Sequence, residues 1–130
     1  MCIFCDIIDG KIPSSKVYED DNTLSFLDLS QTTYGHTLVI PKKHYDNVLQ
    51  MRADEFAELM KTVQKVAKML QEKLNYKGVN ILINTNEEAG QTVKHAHVHI
   101  IPRYDVNDTV KFEFTENNTD LNEVLSKIKG

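Results

Sequence analysis

The 130-residue chain contains no tryptophan and only two cysteines, Cys2 and Cys5. Two cysteines cannot build a disulfide scaffold, and the pair is typical of a reducing compartment. No apolar run approaches the roughly 20 residues that a membrane-spanning helix needs. The N-terminal stretch MCIFCDIIDGKIP has no basic segment followed by a long apolar one. We therefore expect neither a signal peptide nor a membrane partner, and a cytoplasmic location.

Positive charge is also scarce. The chain has 15 lysines and arginines against 19 acidic residues, a formal net charge of -4 at pH 7. Because binding to nucleic-acid backbones requires a basic surface, we expect no nucleic-acid partner. A local pocket for one small nucleotide is compatible with this charge. The length and the 41% hydrophobic content predict a single domain over residues 1–130 with a real hydrophobic core.

Hydrophobic periodicity predicts a mixed fold without repeats or linkers. Strands are predicted over residues 15–20, 23–29, 35–41, 78–86 and 95–103. A short turn or helix is predicted over residues 3–9. Helices are predicted over residues 53–75 and the C-terminal positions Leu121, Val124, Leu125 and Ile128, with Asn118 or Thr119 as the cap. Since strands and helices do not alternate strictly, the pattern favours an α+β fold with an antiparallel sheet.

The histidines are concentrated on two of the predicted strands. In the segment HAHVHIIPR, His95, His97 and His99 alternate with apolar residues, which in a strand places the three imidazoles on one face about 7 Å apart. His36 and His44 lie at the two ends of the third strand. Such a cluster is typical of a metal site or of a nucleophilic, anion-binding site, and the spacing alone does not choose between them.

Several segments together resemble one protein family. HAHVHII matches the His-φ-His-φ-His-φ-φ signature of the histidine-triad (HIT) family, in which φ is an apolar residue. The stretches IFCDIIDGKIPSSKVYEDD, FLDLS, GHTLVIPKKH and AGQTVKHAHVHIIPR resemble the Hint-like branch, in order over residues 2–104. The resemblance implies a HIT fold: a five-stranded antiparallel sheet packed against one long helix, with short N- and C-terminal helices and an extension over residues 105–130.

The resemblance also implies a chemistry for the triad. HIT proteins are nucleotide hydrolases and transferases that form a covalent nucleotidyl-histidine, and the middle triad histidine, here His97, is the nucleophile. His99 and His36 are then expected to bind the phosphate oxygens. Thr92 stands where the family commonly has serine, with its hydroxyl near the phosphate or leaving group. A neutral imidazole can attack at pH 7 if its other ring nitrogen is held as a donor.

Further positions match the nucleotide-binding residues of the family. Gly90 and Gln91 precede Thr92 in the phosphate loop, and Asn84 matches a residue at the phosphate. Asp28 matches the carboxylate that accepts hydrogen bonds from both ribose hydroxyls. The positions that enclose the purine in the family are apolar here: Ile3, Phe4, Ile7, Phe26 and Leu29.

Cys2 and Cys5 form a C-x2-C pair, which by spacing is half of a zinc site. The resemblance, here to bacterial HIT proteins, implies that His44 and His95 complete it. Four protein ligands would leave no open position for water, so the Zn²⁺ would be structural. The alternatives are a redox-active pair and two unrelated free thiols.

We therefore expect a purine nucleotide hydrolase that cleaves the P–N bonds of nucleoside 5′-phosphoramidates. Family precedent predicts a homodimer. Three alternatives stay open: a diadenosine polyphosphate hydrolase, a non-catalytic nucleotide-binding regulator, and a zinc hydrolase with all three triad histidines as ligands. The tail lacks the tryptophan-containing end of eukaryotic Hint proteins, so the leaving group is not specified.

Overall fold

A computed structural model describes residues 2–130 as three helices and five strands. The elements in chain order are α1 (Ile3–Ile8), β1 (Lys16–Glu19), β2 (Thr23–Leu27), β3 (Thr37–Pro41), α2 (Ala53–Leu74), β4 (Gly78–Leu82), β5 (Val98–Arg103) and α3 (Leu121–Lys129). Short 3-10 turns over Val48–Gln50 and Glu87–Ala89 precede α2 and follow β4. Each element matches one that the periodicity predicts.

The five strands form one antiparallel sheet in the order β1-β2-β3-β5-β4. The predicted fold class is thereby confirmed. The order brings β3 and β5 side by side at the centre of the sheet, with Leu38 opposite His99. The histidines at the ends of β3 therefore lie next to those of β5, although α2 and β4 separate them along the chain.

The long helix α2 covers one face of the sheet. Its residues Leu59, Val63 and Val66 are almost fully buried and belong to the same cluster as Val98 and Ile100 of β5. These helix positions recur every three to four residues, so they form one stripe along α2. Because side chains alternate along a strand, His99 must point to the opposite face of the sheet.

That opposite face carries a second, smaller core. Phe4 and Ile7 of α1 are buried with Phe26, Leu38 and Ile40 of the sheet. The rings of Phe4 and Phe26 meet edge to face with their centroids 5.6 Å apart. α1 is thus held next to the face on which the histidines lie.

Six strand boundaries differ from those that the sequence predicts: β1 spans only Lys16–Glu19, β2 ends at Leu27, β3 begins at Thr37, β4 ends at Leu82 and β5 begins at Val98. His95 and His97 therefore precede the ladder. The β3–β5 register, continued, would set Ala96 opposite Pro41, which has no amide hydrogen to donate. Ala96 instead donates its amide hydrogen to the carbonyl oxygen of Tyr45, at 2.7 Å.

The cap of the C-terminal helix α3 lies one or two residues after the predicted positions. Asp120, rather than Asn118 or Thr119, caps it, because the Asp120 carboxylate accepts from the amide of Asn122 at 3.0 Å. The predicted apolar positions are all exposed: Leu121, Val124, Leu125 and Ile128. None of the helices within residues 2–130 combines the length and apolar character of a membrane span.

Candidate functional site

All five histidines lie in one region and form two groups. The cysteine–histidine group consists of Cys2, Cys5, His44 and His95. The imidazole group consists of His36, His97 and His99, together with Asp28. Adjacent rings within each group have centroids about 5 Å apart. The contiguous triad of the sequence is therefore divided, with His95 in one group and the other two histidines in the second.

The cysteine–histidine group converges on one point. Cys2 Sγ lies 3.3 Å from His95 Nδ1, Cys5 Sγ lies 3.4 Å from His44 Nδ1, and the two Nδ1 atoms are 3.2 Å apart. Ligand atoms around a tetrahedral Zn²⁺, with bonds of about 2.0–2.3 Å, lie about 3.3–3.8 Å from one another. The donor set and its spacing therefore fit a four-coordinate ion of this kind.

Both histidines of this group are oriented through the other ring nitrogen. His95 Nε2 donates to the carbonyl oxygen of Pro41 at 2.8 Å, and His44 Nε2 donates to Asp46 Oδ1 at 2.9 Å. A donor at Nε2 leaves a lone pair at Nδ1, which is what a metal ligand requires. Asp46 is not among the site residues predicted from the sequence. Its position two residues after a candidate ligand could have indicated this role.

The thiol of Cys5 is a poor anion by itself. Burial, with the adjacent Cys2, raises the pKa of Cys5 to about 11. A thiolate here therefore needs a positive charge nearby. A bound cation supplies that charge and deprotonates a coordinating thiol.

In the imidazole group a chain of hydrogen bonds assigns the protons. The amide of Thr32 is 3.4 Å from His36 Nδ1, so His36 accepts there and donates from Nε2 to His99 Nδ1 at 2.9 Å. The carboxylate of Asp28, 3.6 Å from His36 Nε2, favours the same proton position. His99 then carries its hydrogen on Nε2, where it can donate to an anion.

His97 is held differently. Its Nδ1 donates to the backbone carbonyl oxygen of His95 at 2.7 Å, so the lone pair lies on Nε2. Only 6% of the residue is exposed, and the Phe4 ring packs edge to face against the imidazole at 5.2 Å. Burial lowers the pKa of His97, which keeps the ring neutral at pH 7. A neutral imidazole with one ring nitrogen free is a competent nucleophile.

The pKa of His99 is lowered to about 4, chiefly by burial and then by the neighbouring His97. The pKa of His95 is also lowered by burial. The three histidines of the HAHVHII segment therefore act as neutral hydrogen-bonding groups near pH 7, rather than as cations.

One cleft, of about 350 Å³, leads to His97 and His99 from the side of α1 and β2. It is lined by the five apolar residues predicted to enclose the purine and by Asp28. Phe4, Ile7 and Phe26 form its buried wall, whereas Ile3 is 49% exposed and Leu29 is 99% exposed. The cleft is therefore closed on one side and open along its rim.

A second cleft, of about 310 Å³, reaches the same two histidines from the other side. Asn84, Gly90 and Thr92 line it, and so do Lys111 and Phe112 of the C-terminal extension. Gly90 has a φ of 99°, a conformation that favours glycine. The sequence does not predict that the C-terminal extension reaches this site, because the extension is polar and contains no recognisable motif.

The side chain of Gln91 does not line either of these clefts. Its amide nitrogen donates to the carbonyl oxygens of Asp46 and Val93, and its oxygen accepts from the amide of Asn86. Gln91 thus fastens the loop that holds Thr92 to the loop that follows His44. Its predicted contact with phosphate stays a prediction.

Comparisons with known proteins agree with this architecture. The HIT domain matches residues 9–106. The chain is 50% identical over its whole length to an uncharacterized HIT-like protein of Methanocaldococcus jannaschii, which it also covers completely. A crystal structure of a Streptococcus mutans protein superimposes with a TM-score of 0.90 at 46% identity, over 98% of this chain and 81% of that one.

Two further relatives have names that state an activity. An adenosine 5′-monophosphoramidase of Candida albicans is 39% identical over 80% of this chain and 71% of its own length. An adenylylsulfatase of Arabidopsis thaliana is 37% identical over 78% of this chain and 52% of its own. The domain match over residues 9–106 and the 50% identity over the whole chain show that the chain belongs to the HIT family.

Proposed function

We propose that this protein is a Hint-like nucleotide hydrolase that cleaves purine nucleoside 5′-phosphoramidates through a covalent nucleotidyl-histidine. The observation that carries the proposal is the hydrogen bond from His97 Nδ1 to the carbonyl oxygen of His95, at 2.7 Å. It leaves a lone pair on Nε2 of a buried, neutral imidazole that borders both clefts. The names of the two relatives with stated activities support the same reaction class.

The reaction has two displacement steps at phosphorus. In the first, His97 Nε2 forms a bond to phosphorus, the P–N bond of the substrate breaks, and the departing amine takes up a proton from the solvent. The Nδ1–H of His97, held by the His95 carbonyl oxygen, shares the positive charge that the ring then carries. In the second, water forms a bond to phosphorus as the P–His97 bond breaks, and the water loses one proton to the solvent. This step releases the nucleoside monophosphate and restores the neutral imidazole.

The remaining residues of the imidazole group serve the phosphate. His99 donates from Nε2 to a phosphoryl oxygen, and His36 holds the His99 ring in the required tautomer through their 2.9 Å hydrogen bond. Donors that are already oriented stabilise charge as it develops in the transition state. Thr92, Asn84 and Gly90 complete the phosphate side in the second cleft.

The base and ribose occupy the first cleft in this proposal. Phe4, Ile7 and Phe26 supply an apolar wall for a purine ring, with Ile3 and Leu29 at the rim. Asp28 lies on the same cleft, and its carboxylate has two acceptor oxygens, which suit a ribose diol. The leaving group then lies in the second cleft.

We further propose that the cysteine–histidine group holds a structural Zn²⁺. Cys2, Cys5, His44 and His95 would be its ligands, which leaves no open position, so the ion supplies fold stability rather than an activated water. The three triad histidines do not converge on one ion, since the donors that converge with His95 are Cys2, Cys5 and His44, whereas those that converge with His99 are Asp28 and His36. This speaks against a zinc hydrolase that uses all three as ligands.

We also propose that the protein is a homodimer and that its substrate is a small nucleotide. Two exposed features support the dimer: the edge strand β4, where Ile81 is 44% exposed, and the apolar side chains of α3. Sheet edges and apolar stripes of this kind are commonly covered by a second copy.

The experiment that tests the function is AMP release from adenosine 5′-phosphoramidate by the wild type and by His97→Ala. We expect turnover by the wild type and a loss of about 10⁴-fold or more in the variant, since the nucleophile has no substitute. Denaturing the wild type during turnover should also trap a protein that carries one AMP.

Lys68→Ala is the matched control, because Lys68 is exposed on α2, away from both clefts. It should retain wild-type turnover. Equal release by wild type and His97→Ala would contradict the covalent mechanism. No release by either protein would contradict the phosphoramidase assignment.

A further inference from the structure

His95 connects the cysteine–histidine group with the imidazole group. Its ring is fully buried, with Nδ1 turned to the two cysteine sulfurs at 3.3 and 3.5 Å and Nε2 bonded to the Pro41 carbonyl. Its backbone carbonyl oxygen is the acceptor that holds His97 Nδ1–H. The residue that can bind a metal by its side chain therefore selects the tautomer of the adjacent nucleophile by its backbone.

Two backbone hydrogen bonds hold the segment around His95, which lies outside the sheet. The segment precedes the β3–β5 ladder, which begins at Val98. The amide of His95 donates to the Val93 carbonyl oxygen at 2.9 Å, and the amide of Ala96 donates to that of Tyr45 at 2.7 Å. Tyr45 follows His44, so this second bond leads back to the loop that carries another candidate ligand.

From this geometry we propose that a metal ion in the cysteine–histidine group positions the nucleophile. By fixing the His95 ring between Cys2, Cys5 and His44, the ion fixes the His95 carbonyl, and the carbonyl keeps the proton of His97 on Nδ1. Loss of the ion frees the segment, and the His97 proton is then shared between its two nitrogens. This inference rests on the proposed function only for its effect on turnover. The effect on the tautomer stands without it.

The test is ¹⁵N NMR of the imidazole nitrogens of uniformly labelled protein at neutral pH, with zinc bound and after zinc is removed by a chelator. With zinc bound, His97 should show the Nδ1–H tautomer. After removal its two nitrogen signals should move toward each other. His36 is the internal control, because its ring bonds to Thr32 and His99 and to no candidate ligand; its signals should stay in place.

Replacement of zinc by cadmium keeps the measurement informative even if the metal-free protein unfolds. The larger ion stays bound to the same ligands and displaces the His95 ring, so His97 signals should shift more than those of His36. Unchanged His97 signals in both the metal-free and the cadmium-loaded protein would overturn the proposal. So would equal shifts of His97 and His36.

Turnover gives a second readout. Metal-free protein that is still folded should lose about 100-fold in kcat, the scale expected for a small misplacement of a reacting group, with AMP affinity little changed. A parallel loss of AMP affinity would indicate general loosening of the site and would contradict positioning. If zinc-loaded wild type shows no phosphoramidase turnover, the proposed function fails, while the tautomer measurement still tests the coupling.

Discussion

The cysteine–histidine group and the imidazole group use the same side chain in opposite orientations. In the first, His44 and His95 turn Nδ1 toward sulfur, while oxygen acceptors engage Nε2. In the second, His97 and His99 use Nδ1 within the protein, which leaves Nε2 for an external partner. In both groups the partner of one ring nitrogen therefore decides what the other nitrogen can do.

Removal of a thiol should have the largest effect, because it should affect zinc binding by the cysteine–histidine group and leave the imidazole group in place. Cys5→Ala should abolish stoichiometric zinc binding, because it removes one of four converging donors. The matched variant His99→Gln, which alters only the imidazole group, should keep one zinc per chain. Elemental analysis after dialysis and thermal unfolding measure this, with a lower Tm expected for Cys5→Ala than for the wild type. Equal zinc content in both variants would mean that the two groups are not chemically distinct.

A smaller change tests the outer partner of His44. Asp46→Ala should weaken zinc binding about 10- to 100-fold, since loss of the carboxylate leaves His44 free to rotate. Competition with a chelator of known affinity measures the change. Asp21→Ala, at an exposed turn position, is the control and should bind zinc as the wild type does. An affinity for Asp46→Ala equal to that of the control would show that the 2.9 Å bond does not orient the ligand.

The smallest effect concerns the imidazole group and pH. Because burial lowers the pKa of His99 to about 4, the unfolded chain binds a proton at this residue below about pH 6.5 that the native protein does not bind until about pH 4. The contribution of His99 to the free energy of unfolding is therefore complete above about pH 6.5 and is lost as the pH falls toward 4.

Urea unfolding of wild type and His99→Gln between pH 7 and 4 measures this contribution. The free energy of unfolding should fall less steeply with decreasing pH in the variant. Any release of metal by acid affects both proteins, so the difference between them isolates His99. Parallel curves would show that His99 is equally protonated in the native and unfolded states.

Local patterns predicted most of the fold. The sequence predicts a helix over residues 53–75, and α2 spans Ala53–Leu74. The prediction succeeds because helical periodicity depends only on residues that are close together along the chain. The start of β5 was predicted three residues early. That boundary depends on Pro41, a residue of a different strand, and no property of the HAHVHII segment reports it.

The sequence also predicts most residues of the candidate site, but not their contacts. The residues of the two groups were found by motif, and the domain limits and residue roles stay predictions. Asp46 was missed because its role comes from a contact with His44 rather than from a motif. Lys111 and Phe112 were missed because the tail reaches the second cleft only through the fold.

The sequence by itself determined which groups are available: three imidazoles at alternate positions, two thiols three residues apart, and an apolar set that places His97 and His99 on one face. Only the tertiary structure decided how the protons are distributed among them. A tautomer depends on the atom that meets the other ring nitrogen, and for His95 and His99 that atom belongs to Pro41 or His36, far away along the chain.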